Sequence, residues 1–109
     1  MKRLFRNFKY SKYEYLELKN IDIGNALQRL YETRDTNGLD QEAEGEDNDN
    51  EKYGINFINC GLQDEHCDAL EWIYIVFDCP AFYKLNDNNF SRSAKRKMKS
   101  SFEDICFEI

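Results

Sequence analysis

Cys60, His66, Cys67 and Cys79 fall within twenty residues of one another. Thiolate and imidazole are the side chains that structural zinc sites use most. The spacing argues against such a site. It lacks a Cys-x-x-Cys knuckle, and the adjacent pair His66-Cys67 is poorly placed to aim both side chains at one ion. A buried free cysteine is common as a small apolar residue. A thiolate nucleophile with His66 as its base would use the same residues, but that also requires an orienting group and oxyanion donors. No such signature surrounds any cysteine. We therefore expect no catalytic residue, no metal and no other cofactor.

Carboxylates are the next candidates. Paired acids act as acid–base catalysts when burial pushes one pKa away from the other, and nothing in the pattern marks Asp64, Glu65, Asp68 or Glu71 as buried. Asp47-Asn48-Asp49-Asn50-Glu51 is dense in oxygen ligands, yet the twelve-residue calcium loop with its central glycine and terminal glutamate is absent. What stands out is the run itself: residues 35–51 hold eight carboxylates and no basic group. Around it the charge changes sign. Residues 1–34 carry +4, 35–51 carry −8, 52–90 carry −4 and 91–109 carry +2, for a net charge of −6. An acidic total disfavours nonspecific binding to nucleic acid and favours basic partners.

The expected partner-binding residues are therefore Asp40, Glu42, Glu44, Glu46, Asp47, Asp49 and Glu51, with Asp64, Glu65 and Asp68 extending the row. Such a row can mimic phosphates, speed association with a basic protein and sharpen selectivity. An alternative uses the basic ends. Arg3, Arg6, Lys9 and Lys12 interleave with aromatics, a combination that holds phosphates and stacks bases, and Arg92, Lys95, Arg96 and Lys99 form a basic helix face that would meet a nucleic-acid backbone.

These side chains need a scaffold. At 109 residues, 41% hydrophobic and 15% aromatic, the chain is one domain with enough apolar material for a modest core. Tyr13 to Lys19 reads as a strand. Ile23, Ala26, Leu27, Leu30 and Tyr31 fall on one face of a helix capped by Asp22 or Asn20. Residues 35–52 read as a flexible acidic loop, too poor in apolar side chains to offset the entropy of being fixed. Tyr53 to Asn59 reads as a second strand.

The apolar run Trp72 to Phe77 fits a strand buried on both faces and is expected at the sheet centre. Phe82 to Leu85 offers a further short strand, followed by a turn at Asn86–Asn89. Phe90, Ala94, Met98, Phe102 and Ile105 keep helical spacing behind a cap at Asn89 or Ser91, and a short strand closes the chain at Phe107–Ile109.

The expected fold is a small single α+β domain, residues 1–109. Its sheet is mostly antiparallel, with two amphipathic helices on one face in the order β-α-β-β-α and the long acidic loop between the first helix and the second strand. Its expected core is Leu27, Leu30, Trp72, Ile73, Ile75, Phe77, Met98 and Phe102, and no internal repeat is evident. No apolar run approaches the length needed to span a bilayer, and charges interrupt the N-terminus where a signal peptide needs its apolar stretch. The expected setting is cytoplasmic, with reduced thiols.

The functional expectation is a non-catalytic acidic protein that sequesters or inhibits a basic partner, in the manner of an immunity protein or antitoxin facing a toxin nuclease, or of a phage inhibitor of host defence. The alternative is a small nucleic-acid-binding protein.

Overall fold

The computed structural model describes Phe5 and residues 15–37, 54–77, 82–103 and 105–109. In chain order the elements are β1 (Tyr15–Lys19), α1 (Gly24–Glu32), the short α2 (Arg34–Asn37) and β2 (Gly54–Ile58). A 3-10 turn at Asp64–His66 then leads into α3 (Cys67–Val76), followed by β3 (Phe82–Lys84), α4 (Arg92–Ser101) and β4 (Cys106–Glu108).

The four strands form one sheet in the order β1-β2-β3-β4, and every neighbouring pair is parallel. The expected antiparallel sheet and the order β-α-β-β-α are both incorrect. The error traces to the run Trp72 to Phe77, which belongs to helix α3 and not to a central strand. Read from His66 onward, the buried residues His66, Ala69, Leu70, Ile73, Val76 and Phe77 recur every three or four positions, which is one helix face. Ile75 falls off that face and is 69% exposed, whereas Ile73 is fully buried. With a helix there, each of β1, β2 and β3 is followed by a helical crossover, which parallel neighbours require.

Helix α1 buries Ile23, Leu27 and Leu30 at the expected spacing. Asp22 serves its first turn one position before the cap, accepting from the Gly24 backbone N–H at 3.2 Å. Ser91 caps α4 as expected, its hydroxyl accepting from Ala94 N–H at 3.1 Å, and Ala94, Met98 and Phe102 are buried behind it. Strand residues Leu16, Ile55, Phe57 and Tyr83, with Leu85 just past β3, join these helix residues in one core. Each fully buried side chain of this size contributes about 1.5–3 kcal/mol. Phe5 belongs to the same core, its ring 6.1 Å from that of Phe57 and 6.0 Å from that of Phe77.

Strands that follow sequence order, each with its own helix, make a winding, and the winding repeats. Ile55-x-Phe57-x-x-Cys60-x-Leu62 and Tyr83-x-Leu85-x-x-Asn88-x-Phe90 superpose by register on Leu16-x-Leu18-x-x-Ile21-x-Ile23. The residues that bend the chain out of each strand are Asn20, Asn59 and Asp87, with φ of 60°, 52° and 59°. Asn and Asp are the non-glycine residues that best tolerate that left-handed region. The expectation of no internal repeat is thus also overturned. Matching positions lie 39, 28 and 24 residues apart (Tyr15, Gly54, Phe82, Cys106), and it is this uneven spacing that hides the repeat.

Candidate partner-binding face

The turns between strand and helix are held by hydrogen bonds that pass from winding to winding. Asn88 Oδ1 accepts from the backbone N–H of Cys60 at 2.8 Å and of Leu62 at 3.2 Å. Its Nδ2 donates to the carbonyls of Phe57 at 2.7 Å and Leu85 at 3.0 Å. Cys60 stands at the same position one winding earlier, and its thiol donates to the Leu18 carbonyl at 3.2 Å. Burial pushes this thiol above its ordinary pKa, with a smaller opposing hydrogen bond at Ile21. Burial also raises Cys67, with nearby Asp64 adding to the shift. A thiol held in its protonated form is a poor nucleophile and metal ligand.

His66 is likewise occupied. Its ring packs against Gly24, where an added Cβ would lie 2.8 Å from Cε1. Its Nδ1 accepts from the Gln63 backbone N–H at 2.9 Å. The described residues contain no cluster of three or more possible metal ligands. Cys79 lies outside them.

Of the expected acidic site, Asp40, Glu42, Glu44, Glu46, Asp47, Asp49 and Glu51 lie outside the described residues, as does the oxygen-rich segment 47–51. Asp64, Glu65 and Asp68 are all exposed. Asp64 is engaged locally: Oδ1 accepts from the Ser91 backbone N–H at 2.8 Å, tying the 3-10 turn to the start of α4. The Ser91 hydroxyl first, and then that N–H, hold its carboxyl below the ordinary range. Asp68 lies 4.0 Å from Lys97 Nζ, and Glu71 accepts from Ser101 Oγ at 3.2 Å. These acids therefore sit beside the basic helix and are partly offset by it.

Of the alternative basic site, Arg3, Arg6, Lys9 and Lys12 lie outside the described residues. Arg92, Arg96 and Lys99 are exposed on α4, and Lys95 is half-buried. A shallow groove runs along Ser93, Arg96, Lys97 and Ser100.

The face that sequence reasoning missed is the side of the sheet away from the helices. Alternation along each strand sends Leu16, Ile55, Phe57, Tyr83 and Leu85 into the core and their neighbours to the opposite side. One row there is Tyr15, Gly54, Phe82 and Cys106. The next is Glu17, Asn56, Lys84 and Glu108. On this side Tyr15, Glu17, Cys106 and Glu108 are exposed, Phe82 and Lys84 are half-buried, and Gly54 and Asn56 are buried.

The Phe82 ring fills the space that a Cβ at Gly54 would need, and the Tyr15 ring sits 6.5 Å from it at 45°. In the second row Lys84 Nζ is 3.9 Å from Glu108 Oε2, and Asn56 Nδ2 donates to Glu17 Oε2 at 3.4 Å. The available signal is their types at alternate strand positions, but only the parallel register makes these residues neighbours.

No protein-family model, curated protein or solved structure matches this chain.

Proposed function

We propose that this protein is a non-catalytic binding module that holds a basic protein partner against the open face of its parallel sheet. The observation that carries the proposal is that face: a row with Tyr15 and Phe82 and a row of charged and amide groups, with Tyr15, Glu17, Cys106 and Glu108 exposed. Windings of one strand and one helix with an apolar-x-apolar-x-x-(Asn/Cys)-x-apolar pattern are the arrangement of leucine-rich solenoids, which bind partners on their extended sheet surface.

Charge supports a basic partner. The net charge is −6, and in sequence the eight-carboxylate run ends two residues before Gly54, the first residue of β2. Sequestration or inhibition of a nucleic-acid-binding protein or nuclease is the simplest use of such an acidic surface. A cytoplasmic setting belongs to the same proposal and is supported by the free thiols of Cys60, Cys67 and Cys106. Among the described residues no helix is long and apolar enough to cross a membrane.

The test is capture from native-host extract at low salt with three tagged proteins: the unaltered chain, a Tyr15→Lys/Glu17→Lys variant, and a chain with Glu42, Glu44, Glu46, Asp47 and Asp49 replaced by Gln or Asn. One basic protein recovered in near-equal amount, released by salt and lost from both variants, is the expected result. Equal recovery by all three would overturn the proposal.

The exposed Arg92, Arg96 and Lys99 keep nucleic-acid binding as a second reading. Retention of the purified protein on a polyanion resin at modest salt would favour it.

A further inference from the structure

The outer edge of β4 has no strand beside it among the described residues. The Glu108 carbonyl accepts from the Leu85 N–H at 2.8 Å, so the main-chain groups of Glu108 face β3. Alternation along the strand then turns the N–H and C=O of Phe107 outward. Groups left this way on an edge are a template for a further strand.

The side chains along the same edge are only partly covered. Ile105, Phe107 and Ile109 pack against the core yet stay half-buried, the Phe107 ring lying 5.1 Å from that of Phe102 and 6.2 Å from that of Tyr83. Cys106 and Glu108, on the open face, are exposed. The segment Ile105-Cys106-Phe107-Glu108-Ile109 has the same apolar positions in either direction. A two-fold contact demands such self-complementarity.

We infer that β4 is the contact between two copies of this chain, paired antiparallel about a two-fold axis at Phe107. The two Phe107 residues exchange N–H···O=C bonds, and their rings and the flanking isoleucines cover one another. Cys106 of each copy stands opposite Glu108 of the other. Charge selects this arrangement over head-to-tail stacking. Continuing the sheet in phase onto β1 of a second copy would align Glu108 with Glu17, and like charges directly opposite are destabilising. The antiparallel pair sets each carboxylate against a thiol instead, and it closes at two copies.

The test uses Glu108→Cys, a change at an exposed position, in the full chain with oxidised glutathione as the oxidant. Opposed residues in a non-hydrogen-bonded antiparallel pair have Cα atoms about 4.5 Å apart, within disulfide reach. Cys106 and its own counterpart would be about 8 Å apart, beyond it. Peptide mapping of mixed unlabelled and isotope-labelled copies is expected to find Cys106 of one copy joined to position 108 of the other. The unaltered chain is expected to form no interchain link through Cys106. A contact this small makes a weak dimer, so the sedimenting mass of the unaltered chain should rise with concentration towards that of two copies. Added salt should strengthen the pairing, because it screens the −6 carried by each copy. A mass that stays constant, a mass that climbs past two copies, or links that join like positions as readily as unlike ones would overturn the pairing.

Discussion

Asn88 does the work of several backbone groups. Both atoms of its amide close hydrogen bonds to buried main chain in two successive windings. Asn88→Ala would strand the N–H groups of Cys60 and Leu62 and the carbonyl of Phe57, and is expected to cost about 3 kcal/mol in urea unfolding. The exposed neighbour substitution Asn89→Ala is expected to stay within about 0.5 kcal/mol. The thiols make a second residue-scale case. Cys60 and Cys67 are buried with raised pKa values, whereas Cys106 is exposed. At neutral pH an alkylating probe should modify Cys106 well before either of the other two, as peptide mapping would show. Tyr83 follows the same logic, since complete burial pushes its phenol well up while its hydroxyl donates to the Leu70 carbonyl at 3.1 Å. A group with a raised folded-state pKa stabilises the native state fully below its unfolded pKa and loses that contribution as pH rises through the folded value. The urea midpoint should therefore fall on the alkaline side, beginning in the ordinary thiol range.

Helix α3 is where element-scale reasoning is most exposed to test. Ile73→Ala removes a fully buried side chain and should cost about 2–5 kcal/mol. Ile75→Ala, two residues on, should cost under about 0.5 kcal/mol because the side chain faces solvent. A central strand buried on both faces would make the two losses comparable. The other elements were legible because their patterns are one-sided: Ile23, Leu27 and Leu30 mark a helix, and Ile55 and Phe57 mark a strand, whatever lies around them. The run Trp72–Phe77 is apolar on all sides, and such a run does not reveal its period until it is extended back to His66 and Ala69. That single misassignment removed one crossover helix, and with it the parallel sheet and the open face. The candidate face was not legible in the sequence, because the meeting of Tyr15, Glu17, Asn56 and Phe82 requires the register of three strands drawn from distant parts of the chain.

At the scale of the molecule, the four parallel strands differ in how many neighbours hold them. β2 and β3 have partners on both sides, and β1 and β4 on one. Amide exchange should therefore be slowest in β2 and β3 and faster in β1 and β4. Uniform protection across all four strands would argue for a single cooperative block. The unequal winding lengths carry a final consequence, for splicing. From Tyr15 to its register mate Gly54 is 39 residues, against 28 from Gly54 to Phe82, so the first winding carries a surplus within which the carboxylate run lies. The second winding shows that 28 residues suffice to complete a circuit. Excising residues 40–50 would bring the first circuit to the length of the second while leaving every strand position in phase. The shortened chain should fold with stability within about 1 kcal/mol of the original, since the entropy of closing a connection changes slowly with its length, yet lose most of the attraction for the proposed basic partner. The scaffold and its charge would then be separable parts, open to transplantation one without the other.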